Sequence, residues 1–133
     1  MKIFNNFKIP KKYKRSSLAV GNFDGVHKGH QKVFKYAKKF AKRTKSKFGI
    51  LTFSPLPVMF FDKKIKNYRI SNFDQKVSYF EKFGVDFLIN KNFNKKFSKI
   101  TYHKFIENIL YKRLNAKYIF VSNNFRFGYK RQG

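Results

Sequence analysis

Apolar and polar positions along this chain recur with the periods of strands and helices. The run Leu18–Val20, which ends at Gly21, is short and continuously apolar, as expected for a buried strand. From 30 to 44 the apolar residues form a single stripe among lysines, which predicts an amphipathic helix. A second apolar run at 48–53 predicts another strand. Strand, helix and strand in this order predict a βαβ unit with a right-handed crossover and a parallel sheet.

The middle of the chain carries clear helix signals. Asn72 with Gln75 three residues later has the form of a capping box, and predicts a helix from 73 to 83. Gly84 follows at the position where a glycine commonly ends a helix. The apolar run at 85–90 then predicts a third strand. A second strand–helix–strand unit is therefore expected after the first.

The same alternation continues towards residue 133. Thr101 is a candidate cap for a helix, and a fourth strand is predicted at 117–122. The apolar stripe of that helix consists of Phe105, Ile106, Ile109, Leu110 and Leu114. The segment 54–70 contains two prolines and is expected to be a loop, while 1–14 is a basic arm or lead-in strand. The pattern predicts the α/β class, with a doubly wound, mostly parallel Rossmann-like sheet in one domain over 15–133.

The charge of the chain admits two interpretations. The formal net charge is +26, from 32 basic and 6 acidic residues. Such a charge suits the binding of nucleic-acid phosphates. However, 26 of the basic residues are lysines and they occur on nearly every segment, as A/T-rich codons would produce across a proteome. The second interpretation predicts no specific nucleic-acid partner, and a positive field that attracts anionic substrates.

Other classes are excluded by composition. The chain has no cysteine, so disulfides and cysteine-based metal sites are ruled out. Its longest apolar runs, such as the one at 58–61, are far too short to span a bilayer. The lysines near the start precede no apolar stretch of the kind found in secretory signals. A cytoplasmic protein without a membrane partner is expected, and its oligomeric state cannot be inferred.

The stretch GNFDGVHKGH at 21–30 concentrates groups that bind phosphate. It follows the first predicted strand and precedes the first helix, where ligands bind in open α/β sheets. Its glycines allow sharp turns and close approach of the backbone to a ligand. The start of the helix offers backbone N–H groups and a positive dipole end. His27 and His30 add side-chain donors one helical turn apart, so the stretch is suited to hold a polyphosphate.

Other known phosphate and metal motifs fit this stretch poorly. It matches neither the P-loop pattern G-x-x-x-x-G-K-[ST] nor the dinucleotide-binding pattern G-x-G-x-x-G. His27, His30 and Asp24 could supply three zinc ligands, but nothing else nearby suits a metalloenzyme. A capped turn with incidental histidines is the purely structural interpretation.

The stretch also resembles the H-x-G-H signature of the nucleotidyltransferase superfamily. The longer string GNFDGVHKGHQ at 21–31 is similar to the FMN adenylyltransferase (FAD synthetase) module of the bacterial bifunctional riboflavin kinase/FAD synthetase family. The resemblance extends from about residue 15 through the chain. Four further segments resemble that family in order: LTFSPLP at 51–57, KFGVDFLI at 82–89, FIENILYKRLNAKYIFV at 105–121 and NFRFGYKRQG at 124–133.

The resemblance implies a reaction in which ATP and FMN give FAD and pyrophosphate, with Mg²⁺ held mainly by the ATP phosphates and no metal site in the protein. It implies that His27 and His30 are catalytic and contact the ATP phosphates. The residues it implies for nucleotide binding are Gly21, Phe23, Asp24, Gly25 and Gly29. The residues it implies for the flavin side are Thr52, Pro55, Pro57, Asn124, Phe125 and Arg126, with Phe127 as a further apolar wall.

The chain departs from the family pattern at several points. Leu56 stands where the family has a histidine, and Ser122 where it usually has a glycine. A phosphate-binding segment and a riboflavin kinase domain that follow in the family are not present by residue 133, so the chain is interpreted as the partial front module of a longer protein, poorly active alone and with an incomplete sheet. Two alternatives stay open: a related nucleotidyltransferase with another phosphorylated acceptor, and a basic nucleic-acid-binding protein on the same fold.

Overall fold

Five strands form one parallel sheet in a computed structural model that describes residues 1–62, 72–123 and 125–133. The strands are β1 (Lys2–Phe4), β2 (Ser17–Val20), β3 (Phe48–Ser54), β4 (Phe87–Asn92) and β5 (Tyr118–Phe120). The helices are α1 (Lys28–Arg43), α2 (Pro57–Phe61), α3 (Phe73–Lys82), α4 (Lys95–Ser98) and α5 (Tyr102–Lys104), which continues as a π-helix over Phe105–Arg113. Short 3₁₀ turns occur at Lys11–Tyr13, Asp24–Val26 and Tyr129–Arg131.

The strand order is β1-β4-β3-β2-β5, and every strand pair is parallel. From β2 the chain moves outward to β3 and β4, and it then crosses back so that β5 pairs with the other side of β2. This reversal is a topological switch point, where the carboxyl ends of neighbouring strands open a crevice. The α/β class and the parallel, Rossmann-like sheet predicted from the sequence are confirmed. The predicted N-terminal arm contributes β1, which pairs with β4.

Each face of the sheet buries its own apolar cluster. The face covered by α1 and α3 buries Ala19, Phe23, Val26, Phe34, Ala37, Ala41, Phe48, Ile50, Phe80, Val85 and Leu88. The opposite face buries Phe7, Ile9, Leu18, Val20, Leu51, Phe53, Phe87, Ile89, Phe97, Phe105, Ile109, Leu110 and Leu114. Side chains from both faces of β2 and β3 are buried, as is typical of the central strands of a parallel sheet.

The helix signals in the middle of the chain are confirmed. The Asn72 side-chain oxygen accepts from the Gln75 N–H at 2.8 Å, and the Gln75 side-chain oxygen accepts from the Asn72 N–H at 2.9 Å. These two bonds satisfy donors at the start of α3 that would otherwise lack partners. Gly84 has φ +77° just after the helix, in the left-handed region that glycine enters most easily.

The helix that follows Thr101 differs from the expected α-helix. From Phe105 it is wound as a π-helix, and the Leu114 N–H donates to the Ile109 carbonyl at 2.9 Å. Wider winding by i→i+5 bonds aligns Phe105 with Leu110 and leaves Ile106, 45% exposed, outside the buried stripe. The prediction that Ile106 belongs to this stripe was therefore wrong.

The segment predicted as a loop at 54–70 contains α2. The Leu56 carbonyl accepts the N–H groups of Met59 and Phe60, and the Leu56 side chain is buried. The remainder of that loop prediction, from residue 63 onward, lies outside the described residues. No helix in the described parts of the chain combines the length and apolar character needed to cross a bilayer.

β5 is shorter than the predicted strand and forms one edge of the sheet. It pairs with β2 on one side, and its other side has no partner strand among the described residues. Ile119 and Val121 are 41% and 44% exposed on this segment.

Gly49 on β3 makes room for the Phe87 ring on β4. The two residues are partners in the strand register, and a Cβ added at Gly49 would overlap that ring. Because Phe87 is only 1% exposed, its ring cannot move aside into solvent. We expect Gly49→Ala to lower the free energy of unfolding by about 1–3 kcal/mol through overpacking.

Denaturant unfolding of a double-mutant cycle measures this effect. Phe87→Leu alone should also destabilise the protein, but in its presence Gly49→Ala should cost much less. Additive losses in the double variant would show that the ring of Phe87 is not the reason for glycine at 49.

Candidate functional site

A strained turn follows β2 at the switch point. The Gly21 N–H donates to the Leu51 carbonyl at 3.1 Å, which continues the pairing with β3. Three of the next residues have left-handed backbone angles: Phe23 at φ +49°, Gly25 at +76° and Val26 at +44°. Only the glycine adopts this conformation without cost, and such strain is characteristic of functional sites.

The Phe23 ring anchors this turn in the core. Phe23 is 2% exposed, and its ring centroid lies 4.8 Å from that of Phe34 on α1 and 6.3 Å from that of Phe80 on α3. The His30 ring meets it edge-on at 5.3 Å. A Cβ at Gly21 would come within 3.0 Å of the same ring. Packing of a large buried aromatic side chain thus offsets the backbone strain of the turn.

His27 is the N-cap of α1. Its Nδ1 accepts a hydrogen bond from the Gly29 N–H at 3.1 Å, so the proton of the neutral ring is on Nε2. A Cβ at Gly29 would lie 3.0 Å from the His27 ring, and glycine therefore allows this close packing. His27 fixes the start of the helix and leaves Nε2–H as a donor, and its side chain is exposed.

His30 lies directly against His27. The two rings stack with centroids 3.6 Å apart and 25° between their planes. Burial, the largest cause, lowers the pKa of His30 from 6.5 to about 4. The charges of His27 and then of Lys76 contribute to this lowering of the pKa, and Asp24 opposes them. His30 is therefore neutral at physiological pH, and its buried Nδ1 has no hydrogen-bond partner among the described residues.

Two buried side chains donate hydrogen bonds to the Asn22 carbonyl. The Thr52 hydroxyl donates to it at 3.1 Å, and the Lys76 ammonium donates at 2.7 Å. Thr52 is fully buried and Lys76 is 6% exposed. The sequence predicts Thr52 as a border of the cleft, and the structure shows its hydroxyl supporting the turn. Neither Asn22 nor Lys76 is predicted from the sequence, because one more lysine on a helix gives no signal in this chain.

The residues predicted for the flavin side lie on separate segments of the chain. Pro55 is exposed and Pro57 begins α2, so both lie just beyond the carboxyl end of β3. Phe125 stacks on Phe127 at 5.6 Å, and both pack against the cluster on the face of the sheet opposite α1. Arg126 is exposed.

Asn124, the remaining residue predicted for the flavin side, lies outside the described residues. The structure therefore brings the turn, the two histidines and Thr52 together, with Gly21, Phe23, Asp24, Gly25 and Gly29 all in the turn or the first turn of α1. Pro55 and Pro57 follow β3, and Phe125 and Arg126 follow β5, the two strands that flank β2.

The described residues contain no group of three or more histidines, cysteines or acids suited to hold a metal ion.

A cavity of about 400 Å³ lies at the opposite edge of the sheet, where β2, β3, β4 and β5 begin. Its lining residues are Lys12, Lys14, Arg15, Thr44, Lys45, Ser46, Lys47, Asp86 and Lys117. None of the predicted site residues lines it, so the cavity is separate from the turn.

Comparison with known proteins identifies the family of this chain. The model of the FAD synthetase family matches residues 9–133. A bifunctional riboflavin kinase/FMN adenylyltransferase of Buchnera aphidicola subsp. Schizaphis graminum is 37% identical over 118 residues, which are 89% of this chain and 38% of that protein. The protein of the same name from Escherichia coli K12 is 31% identical over 116 residues, covering 87% of this chain and 37% of its own length.

A crystal structure of a protein named as a macrolide-efflux protein, from Streptococcus pneumoniae, shares the fold with a TM-score of 0.77 and 27% sequence identity. The match covers 98% of this chain and 43% of that one. The chain also spans only about 38% of the length of the curated relatives it matches. The family match, which includes every residue of the strained turn and the histidine pair, shows that this chain belongs to the FAD synthetase family.

Proposed function

We propose that this chain transfers the adenylyl group of ATP to FMN, which gives FAD and pyrophosphate. The observation that carries the proposal is the stacked pair His27 and His30 at the start of α1, in a chain of the FAD synthetase family. The relatives that match over nearly all of this chain bear the name FMN adenylyltransferase as part of a bifunctional protein.

The chemistry needs no nucleophile from the protein. A phosphate oxygen of FMN attacks the α-phosphorus of ATP, the bond from that phosphorus to the bridging oxygen breaks, and pyrophosphate leaves with the bonding electrons. Catalysis then consists of positioning and of stabilising negative charge on the phosphates. The Nε2–H of His27 and the N-terminal end of α1 are donors for that charge.

The low pKa of His30 in the free protein supports a role as a hydrogen-bond donor in this reaction. A ring that stays neutral at physiological pH donates a hydrogen bond without giving up a proton. Its stacking on His27 means that two protonated rings would repel each other at a centroid separation of 3.6 Å. We therefore assign His30 as a neutral donor to the phosphates, and not as a general acid.

Mg²⁺ enters the proposal with ATP as part of the substrate. The described residues offer no cluster of three metal-ligating side chains, so phosphate oxygens and water are the ligands we propose for it. When bound, the ion supplies neutralisation of phosphate charge.

The strand order supports a location for the acceptor side of the site. β3 and β5 both pair with β2, so the segments that follow them flank the turn on its two sides. We propose that Pro55 and Pro57 border the acceptor after β3, while Thr52, within β3, supports the turn beside it through the Asn22 carbonyl. After β5, Phe125 and Arg126 border the acceptor, together with Asn124 from the family pattern.

Loss of either histidine should reduce turnover more than ATP binding. Removal of one preorganised donor costs about 10²–10³-fold in rate. In the natural full-length protein we expect His30→Ala and His27→Ala each to lower kcat for FAD formation by about this factor, with a much smaller change in the Kd for ATP. Steady-state kinetics and calorimetric titration with ATP measure the two quantities.

His27→Asn is the matched control, because asparagine keeps an N-cap acceptor for the Gly29 N–H. Loss of the cap in His27→Ala should lower the stability by about 1 kcal/mol and reduce the thermal midpoint. His27→Asn should restore the thermal midpoint, but it should not restore the turnover. Recovery of turnover by His27→Asn would assign His27 a capping role alone.

The lowered pKa of His30 also predicts how stability depends on pH. The unfolded chain binds a proton near pH 6.5 and the folded chain only near pH 4, so between these values the unfolded state holds more protons. Stability contributed by His30 is therefore complete above pH 6.5 and is lost as the pH falls towards 4.

Thermal midpoints across this range should fall more steeply in the wild type than in His30→Gln. His103→Gln, at an exposed histidine, should keep the wild-type slope; equal slopes in all three would contradict the assignment.

A further inference from the structure

Lys76 is an unusual residue in this protein. Within 1–62, 72–123 and 125–133 it is the only charged side chain that is buried, at 6% exposure. The chain has 26 lysines, and burial of an ammonium group costs free energy that exposed lysines avoid. A buried lysine therefore needs compensating contacts, and its location indicates what those contacts serve.

The contacts of Lys76 lead to the site. From α3 its Nζ donates to the Asn22 carbonyl at 2.7 Å, the same oxygen that accepts from Thr52 on β3. Asn22 lies between Gly21 and the left-handed Phe23, so this oxygen is part of the strained turn. Two donors from separate elements thus fix one peptide group and, through it, the direction in which the chain leaves β2.

Lys76 also acts on the histidine pair through its charge. Burial is the largest cause of the low pKa of His30, and the charged groups that act on it are His27 at the N-cap of α1, Lys76 from α3 and Asp24 from the turn. Lys76 opposes protonation of His30, while Asp24 favours it. The Phe80 ring, one helical turn after Lys76, packs on Phe23, so the position of α3 against the turn is itself fixed.

We propose that Lys76 is a positioning residue of this site: from α3 it fixes the strained turn through the Asn22 carbonyl, and with the turn it fixes the environment of the His30 ring. The proposal rests on the proposed function for its effect on turnover. Its effect on His30 is a property of the free protein and can be measured without any substrate.

The first test is an NMR titration of the histidine side chains in the substrate-free natural protein. The chain has three histidines, and exposed His103 serves as an internal reference. Lys76→Met keeps the length and removes the charge, and should raise the pH at which His30 titrates while His103 is unchanged. Lys76→Arg keeps the charge and should leave His30 close to its wild-type behaviour.

Lys82→Met is the matched control for net charge. Lys82 is on the same helix and its Nζ lies over the Tyr79 ring at 5.8 Å, away from the turn. Its loss removes one positive charge without a contact to Asn22, so the His30 titration should stay as in the wild type. A shift of His30 as large as that in Lys76→Met would overturn the proposal, because the effect would then be a general one of net charge.

The second test is turnover. A misplaced turn should lower kcat by about 10²-fold in Lys76→Met, with a smaller change in KM for ATP, and Lys76→Arg should recover part of the loss. A lower thermal midpoint with unchanged His30 titration would make Lys76 merely structural and would overturn the proposal. An altered His30 titration with no FAD formation even in the wild type would support the coupling while removing the proposed function.

Discussion

The packing of one phenylalanine ring makes the site of this protein possible. Phe23 takes a left-handed backbone conformation, and its ring is buried against Phe34 and Phe80. Because these two partners belong to α1 and α3, one contact joins the turn to both helices that cover this face of the sheet. The stacked histidines depend on the same contact, since His30 meets the Phe23 ring edge-on. The hydrophobic core thus supplies the free energy that holds polar groups in a strained arrangement.

Local signals in the sequence predicted most of the fold. The capping box at Asn72 and the glycine at 84 depend on residues close to one another in the chain, and both appear as expected. The π winding after Phe105 was not predicted. Apolar residues at i, i+4 and i+5 are compatible with either an α-helix or a π-helix, and the burial of the residue at i+1 is needed to distinguish the two. Helix α4 is too short for any periodicity to show.

Part of the candidate site could also be predicted from residues that are close together in the sequence. The glycines and the pair His27 and His30 are contiguous in sequence, so their chemistry could be recognised before the fold was known. Lys76 is 54 residues from the oxygen it contacts, and only the tertiary structure brings them together. Because the chain has 26 lysines, its composition gives no sign that Lys76 is buried. The contact between this remote ammonium and the turn is visible only from burial and distance.

Within the described residues, the edge of β5 that has no partner strand makes the net charge of +26 relevant to self-association. A strand edge with an exposed apolar side chain such as Ile119 is a template on which another copy of the same strand can add. Copies that each carry this much positive charge repel one another before their edges meet. At about 1 M salt that repulsion extends only about 3 Å, shorter than the spacing between paired strands. Colloidal stability is therefore expected to fall as ionic strength rises, a consequence of the charge of the whole chain.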